Sequence, residues 1–476
     1  MSVILASFLL FLAGFTLIGL WSFRASRATQ KDYYLADNSV SPWLAGLSAM
    51  ATNNSGYMFI GVIGYTYTTG LAAVWLMVGW ILGDFLGSLF IHRQLHQATL
   101  RTDEHSFLGV LSHWQGRSMP ILRMVGSLLA LLFLMAYASA QLVAGSKALW
   151  ALLEWPQYAG ALVGAVIVAA YCMAGGIRAS IWTDAAQAFV MVGAMGVLLW
   201  AAVGEVGGVS AALQALHQIP GYMAVAPEQA FLPGWSGAAL LFVGWLFAGI
   251  SVVGQPHVMV RFMALRRDGD MLQARLWYYL WFAMFYCLAT AVGLLTRVLL
   301  PDSASFDAEL ALPTLALALL PPVLVGLILA GIFAATISTA DSLVLACSSI
   351  VVCDLKRDRS HLRLAKVATL LTVLGALCWA LLNQQSVFNL VVMAWSTLAA
   401  AFAPLLVLLA LGRRVSEKAA VLMMLLGVGT ALGWRFAGLH QSLYEGLPAI
   451  CLALLFYPVF NRWLPWMAIT GTRSPV

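Results

Sequence analysis

Thirteen apolar runs, each about as long as a bilayer is thick, decide what this chain can fold into. They lie roughly at 2–23, 41–60, 71–91, 120–148, 158–174, 183–203, 235–260, 276–299, 319–352, 365–383, 388–411, 419–436 and 447–463. A helix needs about 20 residues to cross the hydrocarbon core. Every backbone group there must be paired within the protein, so such runs read as membrane helices. Of 476 residues, 62% are apolar and 9% charged, against about 25% charged in soluble domains. A globule with a polar skin is thereby excluded. The expectation is an all-α, multi-pass protein of a plasma membrane, the inner membrane in a bacterium. The ninth run is long enough for one tilted helix and a short helix before it.

The basic residues orient these helices. With thirteen spans the termini lie on opposite sides. If the N-terminus is outside, the cytoplasmic segments hold 22 of the 25 basic residues, among them Arg93, Arg101, Arg117, Arg123, Arg178, Arg261, Arg359, Arg413 and Arg473. Only Lys147, Arg297 and Arg435 fall outside or at the outer ends. This asymmetry is the positive-inside pattern, so the net charge of +6 reports topology and not nucleic-acid binding. The first run lacks a basic region before it and reads as a retained helix, not a cleaved signal. The six Cys show no CxxC spacing or pairing pattern, which implies neither a disulfide framework nor a zinc site.

The second run is interrupted at its centre by Thr52-Asn53-Asn54-Ser55-Gly56. An unpaired polar group in hydrocarbon costs several kcal/mol, so the helix is expected to break here and turn its freed groups to a solute or ion. The seventh run carries Gly254-Gln255-Pro256-His257, where proline removes a donor and disrupts the preceding turn. Each break falls in the first helix of a block of five, at 41–203 and 235–411. Five is odd, so the second block starts on the opposite side of the membrane. Paired broken helices in such an inverted repeat mark a binding site. Around the blocks stand an extra N-terminal helix and cytoplasmic link (1–40), an external loop (204–234) with a short helix, and two peripheral helices with a tail (412–476).

Other stretches carry weaker signals. Loop 92–118 reads as the longest cytoplasmic connection. His92 and His96 are four apart and would share a helix face, but no Cys or carboxylate completes a metal set, so the stretch reads as an amphipathic helix on the membrane surface. The fifth helix ends at Ala174-Gly175-Gly176-Ile177-Arg178, a tight hairpin. Trp182-Thr183-Asp184 then opens the sixth, with Thr183 or Asp184 placed as a cap. Asp84 lies within the third run. The ninth helix holds Ala335, Thr336, Ser338, Thr339, Asp341 and Ser342. Hard cations take oxygen ligands, and this helix offers hydroxyls where the second offers carbonyls freed by its break. Asp341 shares a face with Ser338. An intramembrane carboxylate is a functional candidate by default, as ion ligand or as proton carrier. No G-x-x-x-x-G-K-[ST] loop is present, so the chain reads as a carrier driven by an ion gradient and not as an enzyme.

These residues resemble the sodium:solute symporter family, which includes bacterial proline, pantothenate and sialic-acid carriers. The similarity covers roughly residues 30–365. It rests on Lys31 to Ala36, Ala51 to Gly56, Gly175-Gly176 with Trp182 to Ala188, Gly254-Gln255-Pro256-His257 with Arg261-Phe262, and Ala334 to Thr339. The likeness is strongest to the proline-transporting branch, where Gly-Gln-Pro-His is typical. It implies a five-plus-five inverted-repeat fold. It also implies a main sodium site of Ala51, Asn54, Ala335, Ser338 and Thr339, the first three through backbone oxygens. Some relatives have a second sodium, at positions that correspond to Asp184, Ser338, Asp341 and Ser342. Asp341 stands where those relatives have a hydroxyl.

The resemblance places the solute near Thr52, Asn53, Ser55, Gly56, Tyr137, Gln141, Trp245, Ala248, Val252 and Gln255. Proline carriers have an aspartate where this chain has Asn53, and aromatic residues where it has Ala248 and Val252. The apolar wall therefore moves, to Trp245 or Phe247. No Arg or Lys faces the expected pocket. The resulting expectation is a sodium-coupled symporter importing a small polar solute, an amino acid such as proline, with sodium as coupling ion and no organic cofactor. The alternatives are a proton-coupled carrier using Asp341 and a transporter-like membrane sensor. The expected partners are solute, sodium and lipid, with no nucleic acid.

Overall fold

The computed structural model describes residues 2–226, 232, 234–301, 307–358, 360–382 and 386–463. Arg359, Arg473, part of the external loop and most of the C-terminal tail lie outside the described residues. The described chain is built from helices. Ten of them are long and apolar enough to cross a membrane, by length and composition.

The second apolar run breaks where its sequence interrupts. Pro42 starts the helix Pro42–Asn53, and Asn54 leaves helical geometry at φ −83°, ψ 57°. The chain resumes as a wide turn at Tyr57–Val62 and a helix at Ile63–Thr69. The seventh run behaves similarly. Helix Gly234–Ile250 tightens into a 3-10 turn at Ser251–Gly254, Gln255 is extended at φ −99°, ψ 101°, and a new helix runs Pro256–Met263. A residue before proline is pushed out of the helical region by the pyrrolidine ring, which is why the break falls on Gln255. The inner ends of the two broken helices are pinned together by backbone bonds from Val40 N to Ala264 O and Arg266 N to Val40 O, both 3.1 Å.

Two boundaries and two placements differ from the sequence expectation. Residues 92–102 are not a surface loop, because helix Val74–Thr102 continues through them. His92 and His96 are buried, His92 stacked on Phe262 at 3.8 Å. They lie against the protein and not on the membrane surface. The sixth helix does not open at Trp182. Residues 157–206 are helical except at Gly176, whose φ of 57° and ψ of −139° turn the chain in one residue. A side chain there would lie 2.4 Å from Tyr33 O, so only glycine fits. Thr183 and Asp184 are consequently inside the sixth helix and cap nothing; Thr183 Oγ1 bonds Ala179 O at 2.9 Å. Arg261 is not in a cytoplasmic segment but fully buried. Finally, the connection between the last two helices is not peripheral. Tyr444 is buried there and its hydroxyl lies 3.0 Å from Ser251 Oγ of the second broken helix.

The ninth run, 319–352, holds the long helix Pro322–Ser349, but the short helix expected inside it lies before it, at Ala311–Leu319. The long helix is buried almost throughout its second half and packs beside both halves of the first broken helix.

Candidate functional site: two broken helices around an oxygen cluster

The first break creates its own acceptors. Asn54 N to Met50 O, 2.8 Å, is the last regular bond of its segment. Gly56 N would close on Thr52 O in a continuous helix. It bonds Gln141 Oε1 instead, at 2.9 Å. The carbonyl of Thr52 is thereby released, Ala51 O lies at the same break, and the ninth helix meets both. Ser338 Oγ donates to Ala51 O at 3.0 Å and Thr339 Oγ1 to Thr52 O at 2.9 Å. The same hydroxyls lie 3.1 and 3.2 Å from Ala335 O.

Four of the five residues expected around sodium thus stand within hydrogen-bond distance of one another, with Thr52 O as an acceptor the sequence did not single out. Asn54 sits at the break itself. Its Nδ2 lies 2.9 Å from Met50 Sδ, and its buried Oδ1 has no protein partner. The donor set is all oxygen, which suits a hard cation.

The residues expected around the solute divide into two groups. Ser55, Gly56, Tyr137 and Gln141 come together: Tyr137 OH bonds Ser55 Oγ at 3.2 Å, and Gln141 holds Gly56. Thr52 and Asn53 turn elsewhere. Thr52 Oγ1 lies 3.2 Å from Ser342 Oγ and 3.5 Å from Asp184 Oδ2. Asn53 Nδ2 donates to Tyr278 OH, which donates to Asp84 Oδ2, both at 2.5 Å. Buried polar atoms without a protein partner gather around both breaks. Besides Asn54 Oδ1 they include Asn53 Oδ1, Tyr57 OH, Gln141 Nε2, Gln255 Oε1 and both ring nitrogens of His257. Gln255 spends its amide N–H groups on Ser251 O at 3.2 Å and Trp395 O at 2.9 Å.

An aromatic wall stands outside this polar centre. Trp80 stacks on Trp245 with centroids 6.1 Å apart and packs on Trp395 at 5.2 Å. Tyr57 stacks on Phe388 at 5.3 Å, and Phe388 on Tyr65 at 5.6 Å. Trp395 Nε1 donates to Ala248 O at 3.0 Å, so indole lies against the small residue of the seventh helix. Trp245 therefore belongs to the wall, whereas Phe247 is only half-buried. The helices carrying Trp80 and Trp245 approach closely because Gly83 and Gly249 face each other's partner backbone. A Cβ at Gly83 would lie 1.9 Å from Leu246 O. Farther out, a cavity of about 210 Å³ is lined by Tyr65, Trp245, Phe388, Arg435, Tyr444 and Glu445 among others.

Below the oxygen cluster sits a second polar group built on charge. Arg261 comes from the helix directly after the second break. Its guanidinium lies 2.7 Å from Ser180 Oγ, 3.3 Å from Asp184 Oδ2 and 4.0 Å from Asp341 Oδ1, and it also bonds Ser342 Oγ. Its other nitrogens reach Ser48 Oγ at 3.2 Å and His257 O at 2.6 Å. Asp341 is held by Tyr171 OH at 2.6 Å, Ser180 Oγ at 2.9 Å and Ser342 Oγ at 2.8 Å. Asp184 Oδ2 accepts from Ser48 Oγ at 2.6 Å.

Sequence reasoning assigned Asp184, Asp341 and Ser342 but missed Ser48, Tyr171, Ser180 and the role of Arg261. Its one available signal was the spacing of Arg261 after Gln255-Pro256, which places it within two turns of the break. Trp80, Trp395, Phe388 and Tyr278 carried no local signal.

Two helices broken in mid-membrane around buried hydroxyls and carbonyls define an ion-coupled secondary transporter. Residues 33–427 match the model of the Sodium:solute symporter family, and the chain belongs to that family. It is 28% identical to the high-affinity proline transporter PutP of Bacillus subtilis, over 95% of this chain and 97% of that protein. It is 27% identical to the sodium/proline symporter of Escherichia coli K12, over 96% and 92%. In three dimensions it resembles a substrate-bound, outward-open sodium-coupled sialic acid symporter. The TM-score is 0.78 at 19% identity, over 96% of this chain and 98% of that one. It also resembles the inward-facing form of Mhp1, with a TM-score of 0.53 at 15% identity, over 92% and 96%. The protein is a multi-pass sodium-coupled symporter of the plasma membrane.

Proposed function

We propose that the chain imports a small zwitterionic amino acid, L-proline first among them, with one sodium bound at Ala51, Asn54, Ala335, Ser338 and Thr339. The observation that carries this is the junction of Ser338 and Thr339 with the carbonyls of Ala51 and Thr52. A cation there ties the broken helix to the ninth helix and so shapes the solute site beside it. The solute meets Ser55, Gly56, Tyr137, Gln141 and Gln255, packs its apolar part on Trp245 beside Ala248 and Val252, and sets its carboxylate against amides at the break. Thr52 and Asn53 act from behind, Thr52 toward the ion and Asn53 through Tyr278. The names of the similar proline carriers support this choice of solute. No organic cofactor is needed.

The architecture we propose has thirteen crossings, with the N-terminus outside and the C-terminus in the cytoplasm. Gly176 divides residues 157–206 into two crossings, and each broken helix counts as one. Two inverted five-helix repeats, 41–203 and 235–411, then follow the 1–40 segment and precede 412–476, with the 204–234 loop between them. The close engagement of Asp341 by Tyr171, Ser180 and Ser342 supports sodium over a proton as the coupling ion.

The test is uptake of labelled L-proline into proteoliposomes under an inward sodium gradient, with potassium as control. Accumulation above equilibrium only with sodium is expected. Accumulation driven equally by a proton gradient without sodium would return the role to Asp341. Sodium-stimulated binding without accumulation would favour a sensor.

A further inference from the structure

We propose that Arg101, Arg413 and Arg414 form a binding site for the phosphodiester headgroup of an anionic phospholipid. They stand where helix Val74–Thr102 and helix Val387–Ala410 end side by side. A hollow of about 430 Å³ opens between these ends, lined by the three arginines with Trp114, Gln115 and Leu409 among others. Its size falls within the range of small-molecule sites, about 300–1,000 Å³. None of its lining residues belongs to either broken helix, so the site is separate from solute and sodium.

The backbone that carries the arginines is fixed. Arg101 lies in the last turn of its helix, and its Nη2 donates to Trp114 O at 2.9 Å. Helix Val387–Ala410 closes with Arg413 N on Leu408 O at 2.9 Å, and Gly412, at φ 70°, turns the chain just before the two arginines. Arg414 O accepts Tyr457 OH and Asn461 Nδ2, both at 3.1 Å. The side chain of Gln115 donates to Val415 O at 3.0 Å and accepts from Val415 N at 3.2 Å. Stretches far apart in sequence are thus tied together before any ligand arrives, which lowers the ordering cost of binding.

The charges have no counter-charge of their own. Among the described residues no carboxylate lines the hollow or pairs with these three guanidinium groups. The acids nearest in sequence are engaged elsewhere. Asp103 pairs with Lys31 at 2.5 Å and Glu104 with Arg123 at 3.0 Å. Glu417 Oε1 accepts Ile121 N and Leu122 N at 2.5 and 3.2 Å. Like charges held together repel, and an anion between them relieves this. Guanidinium forks match phosphate oxygens in pairs.

Apolar neighbours favour a lipid over free phosphate as the source. Leu100 and Leu411, each next in sequence to a lining residue, are exposed and offer a surface for acyl chains. Trp114 supplies an indole, the ring that membrane interfaces favour. In the orientation proposed above, this end faces the cytoplasm. Anionic lipids give that leaflet its negative surface, and basic pockets between helices there bind their headgroups.

The test titrates the purified full-length protein, in a neutral detergent, with short-chain phosphatidylglycerol, short-chain phosphatidylcholine or inorganic phosphate, and reads the thermal unfolding midpoint. Phosphatidylglycerol should raise the midpoint saturably, at concentrations where phosphatidylcholine and phosphate leave it unchanged. R413Q/R414Q, at exposed positions, should weaken that response by about tenfold or more. R266Q/R267Q changes another exposed basic pair on the same side and should leave it intact. A response that survives R413Q/R414Q, or falls as far in R266Q/R267Q, would replace the site with a diffuse positive surface. An equal response to phosphate would refute a lipid as the ligand, and no saturable response would refute the site. Native mass spectrometry of the wild type needs no variant: one phosphatidylglycerol retained per chain is expected, and retention no greater than that of phosphatidylcholine would overturn the proposal.

Discussion

The two broken helices hold corresponding places in the chain, yet they deal with their breaks differently. The first has no proline. Gln141 captures Gly56 N, and the carbonyls of Ala51 and Thr52 at the break are met by hydroxyls from another helix. The second is broken by Pro256 and heals itself, since the side chain of Gln255 bonds Ser251 O within its own helix. It then sends Arg261 inward. In the proposed function the first break receives a cation from outside, whereas the second supplies a cation of its own, Arg261. The two breaks thus differ in what satisfies them, hydroxyls of another helix at the first and the chain's own glutamine at the second.

The largest effect should come from the self-supplied charge. Asp184→Ala leaves Arg261 buried with its closest carboxylate gone, and breaking a buried pair costs about 3–5 kcal/mol. Thermal unfolding in detergent should show a marked loss, and sodium in the buffer should not repair it. Ser338→Ala strikes the other break. Hydrogen bonds to charged groups are worth about 1.5–3 kcal/mol, so the sodium concentration for half-maximal uptake should rise by about one to two orders of magnitude, while unfolding without sodium changes far less. Equal sensitivity of both variants to sodium would erase the distinction between the breaks.

Smaller changes sharpen it. Tyr278→Phe removes the hydroxyl between Asn53 and Asp84 and leaves buried polar atoms unmet, at about 1–3 kcal/mol. Uptake should show a raised KM for proline with little change in sodium dependence, because in the proposed function Asn53 supports the solute site from behind through Tyr278. Gln255→Ala deletes the self-healing bonds of the second break. A loss of about 0.5–1.5 kcal/mol per bond should appear in unfolding, with sodium affinity nearly unchanged.

The sequence by itself determined the membrane helices, both breaks and the oxygen chemistry of the first. Those are local properties: apolar length, Asn-Asn-Ser-Gly in mid-span, Pro256 after Gln255, and the adjacent hydroxyls of Ser338 and Thr339 on the ninth helix. Pattern misplaced the sixth helix start, because one glycine with positive φ can turn a chain without any polar linker. It also read His92 and His96 as facing a membrane surface, since periodicity cannot say what packs on a helix. Tertiary structure alone decided that Arg261 is buried between two carboxylates, that Tyr444 reaches Ser251, and that Trp80, Trp245 and Trp395 pack together beside Ala248. Each of those contacts joins residues far apart in the chain. A basic residue a few turns from a helix end looks solvated in sequence, and only the helices around it show that its charge is met by protein instead of water.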